Sequence, residues 1–236
     1  MNTPYKVTPL YHWHVYHGGR MTTVRDWKRV LDYGNLEAEA DASRSGVGIC
    51  DVTHFTKINV QGKHSDELLT QTSNSRVPKV GHCVTIPPVN KNHLPMRLVR
   101  LTEDRFLVLG EAENINELQQ SMEAAADSIG CAHVEDVTSS FAAFLILGPK
   151  SHDVLKKLGS ANIEGVPLDG CLQTSIARSG AVLVRWNGGD PSGWLLLVSR
   201  DYGEYVWECI LSAGQEFDIR PFGLEAQRVI AKRGAH

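Results

Sequence analysis

The sequence predicts an α+β fold: a pseudo-twofold pair of split βαβ (ferredoxin-like) units sharing antiparallel-rich sheets, with an N-terminal extension. Three observations predict it. A strand–glycine–cap–helix signature occurs twice, and each copy is followed by a second strand-and-helix signature at nearly the same spacing. The 236-residue chain is 42% hydrophobic and 22% charged, the composition of a protein that buries a core as one large domain or two small ones.

Residues 1–50 form the extension. They hold an aromatic-basic segment, Tyr11-His12-Trp13-His14-Val15-Tyr16-His17, and a helix pattern over Leu36 to Arg44. Read as a strand, the first segment puts His12 and His14 on one face and His17 on the other, with no acidic residue nearby, so no metal site is expected. The first repeat covers about residues 55–135. Phe55 to Gly62 alternates apolar and polar residues, a half-buried strand ending in glycine, and Lys63-His64-Ser65-Asp66-Glu67-Leu68-Leu69 caps and starts a helix. Asp104 to Gly110 is a further strand leading into a helix over Asn114 to Ala126.

The second repeat covers about residues 140–215. Ala142 to Gly148 matches the first strand and glycine, and Pro149-Lys150-Ser151-His152-Asp153-Val154-Leu155 matches the cap and helix start. Gly193 to Ser199 then leads into Tyr202 to Ala213. The offset is about 86 to 88 residues in both comparisons, the mark of a duplicated unit. Each half reads strand, helix, strand, strand, helix. With no Ser/Gly/Pro-rich linker between them, the halves read as one domain over residues 1–236, and a cleft between halves is a natural ligand place. Arg220-Pro221-Phe222-Gly223 and a last helix from Leu224 close the chain.

A net charge of −3 supplies no general attraction to nucleic acid or an anionic membrane. No apolar stretch approaches the roughly 20 residues of a membrane span, and the first six residues lack an apolar signal region. The five cysteines are scattered without a CxxC pair, which reads as reduced thiols in a cytoplasmic protein.

An ordered set of segments resembles the aminomethyltransferase (glycine-cleavage T-protein) family, particularly the folate domain of heterotetrameric sarcosine oxidase. Thr8-Pro9-Leu10-Tyr11-His12-Trp13-His14 followed by Gly18-Gly19-Arg20-Met21 is similar to the family's opening. Ser45 to His54 resembles its GxxDxSH segment, continued by Lys57 to Gly62, and Pro221 to Val229 resembles the start of its closing helix. Complete members continue into a C-terminal β-rich lobe; this chain stops at His236, so the resemblance implies the folate-domain portion.

The resemblance implies tetrahydrofolate as cofactor and transfer of a methyl or aminomethyl group from a small methylated or amine substrate. Such a pocket wants a carboxylate for the pterin edge, arginines for the glutamate tail and aromatic walls, for which Trp13, Trp186 and Trp194 are candidates. Asp190, in Arg185-Trp186-Asn187-Gly188-Gly189-Asp190, stands in for the family's pterin-gripping carboxylate; the plainer reading is a Gly-Asp-Pro turn capping its own backbone. Arg185 reads as a partner of the folate tail or of Asp190, or as a surface arginine. Arg228 reads as an anion ligand or as half of a helix-surface ion pair. Asp51 and His54 read as channel-lining groups or as satisfied core polar residues.

The resemblance fails at two motifs, one of them the closing RLE motif, whose glutamate is missing where the chain reads Ile230-Ala231-Lys232-Arg233. The family's GGxxDD hairpin corresponds to Asn90 to Arg97, which has no carboxylate, and the family tyrosine is replaced near Thr85. His93 is the candidate substitute for proton transfer, against the reading of a solvated hairpin-tip histidine. One-carbon transfer can rest on positioning, so an enzyme stays open. The alternatives are a non-catalytic T-protein-like subunit that packs on a larger partner, or a folate-binding scaffold; a homo-oligomer is also compatible.

Overall fold

The computed structural model describes residues 4–73, 75–86, 96–110, 115–186 and 191–233. The chain divides into two compact units. Unit 1 comprises Met1–Thr53, Phe141–Leu168 and Gln173–His236; unit 2 comprises His54–Ser140 and Asp169–Leu172.

Unit 2 contains β4 (Thr56–Gln61), α3 (Ser65–Thr72), β5 (Cys83–Ile86), β6 (Met96–Arg100), β7 (Arg105–Gly110), α4 (Ile115–Ile129) and β8 (His133–Asp136). The sheet order is β5-β6-β7-β4-β8, antiparallel throughout. Without β5 this is the split βαβ arrangement that the repeat predicts. One face packs Ile58, Val60, Leu98, Phe106 and Val108 against Leu68 and Leu69 of α3 and Met122 of α4.

The second half repeats the plan in unit 1. β9 (Phe141–Leu147), α5 (Ser151–Leu158), β10 (Cys171–Ile176), β11 (Ser179–Trp186), β12 (Gly193–Ser199) and α6 (Gly203–Gly214) follow in order. β10 starts in unit 2 and runs on into unit 1. The sheet order is β10-β11-β12-β9-β3-β13, where β3 is Gly48–Asp51 and β13 is Arg220–Pro221. β3 therefore occupies beside β9 the place that β8 holds beside β4. The second half's own last strand, β13, is displaced to the edge, where its two residues pair in parallel with β3. The extension thus completes the second half's sheet, which the repeat alone did not reveal. It also carries α1 (Tyr11–Tyr16), the hairpin β1 (Arg20–Val24) and β2 (Trp27–Asp32), and α2 (Leu36–Ser45), while α7 (Leu224–Arg233) closes the chain.

The repeated glycines are explained by backbone geometry. Gly62 and Gly148 have φ of +134° and +118°. A Cβ at Gly62 would sit 2.2 Å from the Cys131 carbonyl oxygen, and one at Gly148 2.5 Å from that of Gly46. Each glycine carbonyl then accepts the N–H of the serine opening the next helix, Ser65 or Ser151, at 3.1 Å.

Three local expectations need correction. Between its two helices each half holds one strand more than the two predicted: β5 and β10 are edge strands with mixed burial, whose pattern is weaker than the apolar runs of β9 and β12. β4 is not half-buried, because Lys57 and Asn59 are buried as well. Lys57 Nζ donates to the Phe55 carbonyl at 2.7 Å, and Asn59 Oδ1 accepts from Arg105 Nε at 3.0 Å. Residues 11–16 are helical, so His12 and His14 lie about 200° apart around the axis. His14 is buried and His12 exposed.

Candidate functional site

The β11–β12 hairpin carries the residues expected to meet the cofactor. Arg185 sits one residue before the end of β11, directly across from Trp194 of β12. Leu183 and Trp194 both belong to the core packed under α5 and α6, and strand alternation puts Arg185 on that same face. Its guanidinium carbon lies 4.6 Å from the centroid of the fully buried Trp194 ring. Such a cation–π contact contributes roughly 0.5–2 kcal/mol and fixes the cation's direction. Trp186 is half-buried at the strand's end. Asp190 and His93 lie outside the described residues.

Arg228 is exposed on α7, and its Nη1 donates to Glu225 Oε1 at 2.9 Å, one turn back on the same helix. Its neighbour Gln227 accepts from Arg29 Nη2 at 3.1 Å, which ties α7 to β2. The structure gives Arg228 a partner on its own helix and Arg185 a ring across its hairpin; it does not join the two. In unit 2, His54 is buried ahead of β4, its ring edge-on to Phe55 at 4.9 Å. Arg97, closing the stretch without carboxylates, is buried in β6 with Nη1 3.8 Å from Cys83 Sγ.

A buried chain in unit 1 escaped the sequence reading. Asp51, at the end of β3, accepts from His14 Nε2 at 3.0 Å and from the Thr53 backbone N–H at 3.0 Å. The Tyr33 hydroxyl lies 2.7 Å from His14 Nδ1. Burial pushes the Asp51 pKa up, but the hydrogen bond and charge of His14, with the Thr53 contact, outweigh it and hold the carboxyl down at about 2. Burial raises the Tyr33 phenol above its ordinary range, so it stays a neutral donor. The ionised Asp51 carboxylate accepts from His14 Nε2, and the Tyr33 hydroxyl faces the ring's other nitrogen. Trp207 meets His14 edge-on at 5.4 Å and Trp13 at 5.5 Å. Asp51 is thus a satisfied core group paired with His14. Composition offered both residues, but only the placement of α1 against β3 makes the pair.

Burial raises the Cys50 and Cys171 thiols to about 12, which leaves them protonated and inert. Among the described residues no group of three or more His, Cys, Asp or Glu side chains is placed to hold a metal ion. Nor is any helix among them long and apolar enough to cross a membrane.

A duplicated split βαβ fold with two antiparallel-rich sheets defines the structural class of the chain. Residues 10–231 match the family model described as the GCVT N-terminal domain, and the chain belongs to that family. It is 27% identical to the sarcosine oxidase subunit alpha of Corynebacterium sp. (strain U-96), over 98% of this chain and 26% of that protein. It is 26% identical to the aminomethyltransferase of Saccharopolyspora erythraea, over 96% of this chain and 63% of that protein. The chain thus spans about a quarter of the first relative and under two thirds of the second. The fold is shared with the glycine cleavage system aminomethyltransferase T from Bartonella henselae. The TM-score is 0.84 at 19% identity, covering 98% of this chain and 63% of that one. A chain of the heterotetrameric sarcosine oxidase from Corynebacterium sp. U-96 gives 0.61 at 21% identity, covering 78% of this chain and 93% of that one.

Proposed function

We propose that this chain binds tetrahydrofolate and serves transfer of a methyl or aminomethyl group from a small methylated or amine substrate to it. The observation that carries the reading is Arg185, braced on the Trp194 ring near the end of β11, a few residues ahead of Asp190 in the sequence. A guanidinium held by a ring is pre-set for a planar carboxylate, the group at the folate tail. Asp190 would accept the pterin N–H groups, with His54 and Arg228 as further contacts and His93 as the group that moves a proton. The bound folate supplies the nitrogen that receives the one-carbon unit; the chain's residues bind and orient it. Family membership over residues 10–231 supports the reading.

A second reading, a non-catalytic subunit completing a larger assembly, is favoured by Arg97. It is a buried cation in the stretch where the resembling family carries carboxylates. A cation there repels an ammonium substrate.

Calorimetry of the chain with tetrahydrofolate tests the proposal, with Asp190→Ala and Arg185→Ala as controls. Micromolar binding that either substitution weakens at least tenfold, a loss of about 1.4 kcal/mol or more, supports a working folate pocket. No binding at millimolar ligand refutes it and favours the partner-completed subunit.

A further inference from the structure

Unit 1 contains a groove of about 420 Å³ that shares only Trp13 with the residues of the folate reading. Its volume falls in the range of small-ligand sites. Trp13, His17 and Tyr33 form ring walls, with Leu211 and Pro221 beside them. Trp13 and His17 stack at a centroid distance of 3.8 Å and an angle of 19°, making one flat slab. Tyr33 is anchored at two points: its hydroxyl on His14 at 2.7 Å and its backbone N–H on Glu39 Oε1 at 2.7 Å. Walls held this way do not have to be ordered by an incoming ligand.

The polar lining is asymmetric. The Glu39 carboxylate is already engaged, since its second oxygen accepts the Gly223 N–H at 3.0 Å. Arg220 is fixed at its backbone, where its N–H donates to the Val47 carbonyl at 3.0 Å. Its exposed guanidinium makes no ion pair or side-chain hydrogen bond among the described residues. Two acids nearby along the same surface are taken: Asp41 by Arg233 and Glu216 by Lys157. Asp218 lies two residues from Arg220 and makes no ion pair with it.

We infer that this groove binds a small planar aromatic carboxylate, its ring against the Trp13–His17 slab and Tyr33 and its carboxylate on Arg220. A single flat cation matches a single carboxylate in charge and shape. A dianionic phosphate would meet the same one cation with the Glu39 carboxylate close by, so it is disfavoured.

Calorimetry of the full chain with benzoate tests the inference, alongside benzamide (no charge) and cyclohexanecarboxylate (no flat ring). Saturable benzoate binding at least about fivefold tighter than either control is expected, and Arg220→Gln weakens it about tenfold. Leu211→Trp, which fills the groove, removes it. No saturation by about 10 mM benzoate, or equal binding of the three compounds by the wild-type chain, overturns the inference without recourse to any variant. Unchanged benzoate affinity in a folded Arg220→Gln chain overturns it too. Tetrahydrofolate heats that are unaltered by saturating benzoate support a separate site. Displacement of benzoate by tetrahydrofolate would overturn that separateness, and failure of tetrahydrofolate alone to bind bears only on the folate reading.

Discussion

Removing the Asp51 carboxylate strands His14, which is 1% exposed and has Asp51 as its Nε2 partner. Breaking a buried pair by deleting one member costs about 3–5 kcal/mol, because the other is left without its hydrogen bond inside the core. Asp51→Ala also leaves the Thr53 N–H without an acceptor, so the upper half of that range is expected. For a chain of this size each kcal/mol lowers Tm by about 2–4 °C, which predicts a fall of roughly 8–20 °C. Urea unfolding followed by tryptophan fluorescence is the suitable assay. All five tryptophans (Trp13, Trp27, Trp186, Trp194 and Trp207) belong to unit 1, so the signal reports the unit that holds the pair. His14→Ala should cost a similar amount. The double variant should cost less than the two singles together by about 1–3 kcal/mol, since neither partner is then left behind. Single costs below about 0.5 kcal/mol, or costs that add within about 0.5 kcal/mol, would refute the claim that Asp51 and His14 stabilise unit 1 as a pair.

The same carboxylate predicts an acid dependence. Its folded pKa of about 2 lies below the ordinary 3.8, so its contribution is complete above pH about 5 and is lost as pH falls from about 4 through 2. The stability difference between wild type and Asp51→Asn, measured by urea unfolding, should shrink across that window; a constant difference would contradict it. Gly148→Ala should destabilise by more than about 1 kcal/mol, because both the positive φ and the Gly46 carbonyl oppose a methyl group, whereas Gly180→Ala, with open space around it, should stay within about 0.5 kcal/mol. Thermal melts of the two variants check this. Thiol labelling of the native chain should reach exposed Cys131 quickly and Cys209 more slowly, while Cys50, Cys83 and Cys171 react only in denaturant. Rapid native labelling of Cys50 would contradict its burial.

The repeat was legible because its punctuation is physical. Gly62 and Gly148 are required by backbone that no side chain tolerates, and the apolar runs Phe141–Leu147 and Gly193–Ser199 are buried along almost their whole length. β3 was hidden because four residues carry little periodicity and their neighbour β9 lies about a hundred residues away. Lys57 misled the reading of β4: its charge suggested an exposed face, yet its ammonium finds a carbonyl inside. At the site, Arg185 could be picked from its place before a turn, but its ring partner follows from hairpin register, which sequence shows only when the turn is known. The ion pair on Arg228 was readable from the spacing of Glu225 and Arg228 on one helix face. The Asp51–His14–Tyr33 chain was not, since it joins three elements whose pairing depends on the fold.

The position of β3 between β9 and β13 has a consequence for synthesis. A ribosome makes the first 53 residues, then the whole run of unit 2 up to Ser140, and only afterwards the β9 strand on which β3 aligns. At about 5–20 residues per second, the nascent amino-terminal arm waits roughly 5–20 s for its template, while the contiguous repeat behind it is free to fold first. During that delay Val47, Ile49 and Trp13, all destined for the core, are uncovered. The strand β3 is therefore made well before the strand that shelters it, and its apolar neighbours depend on protection from other contacts in the interval.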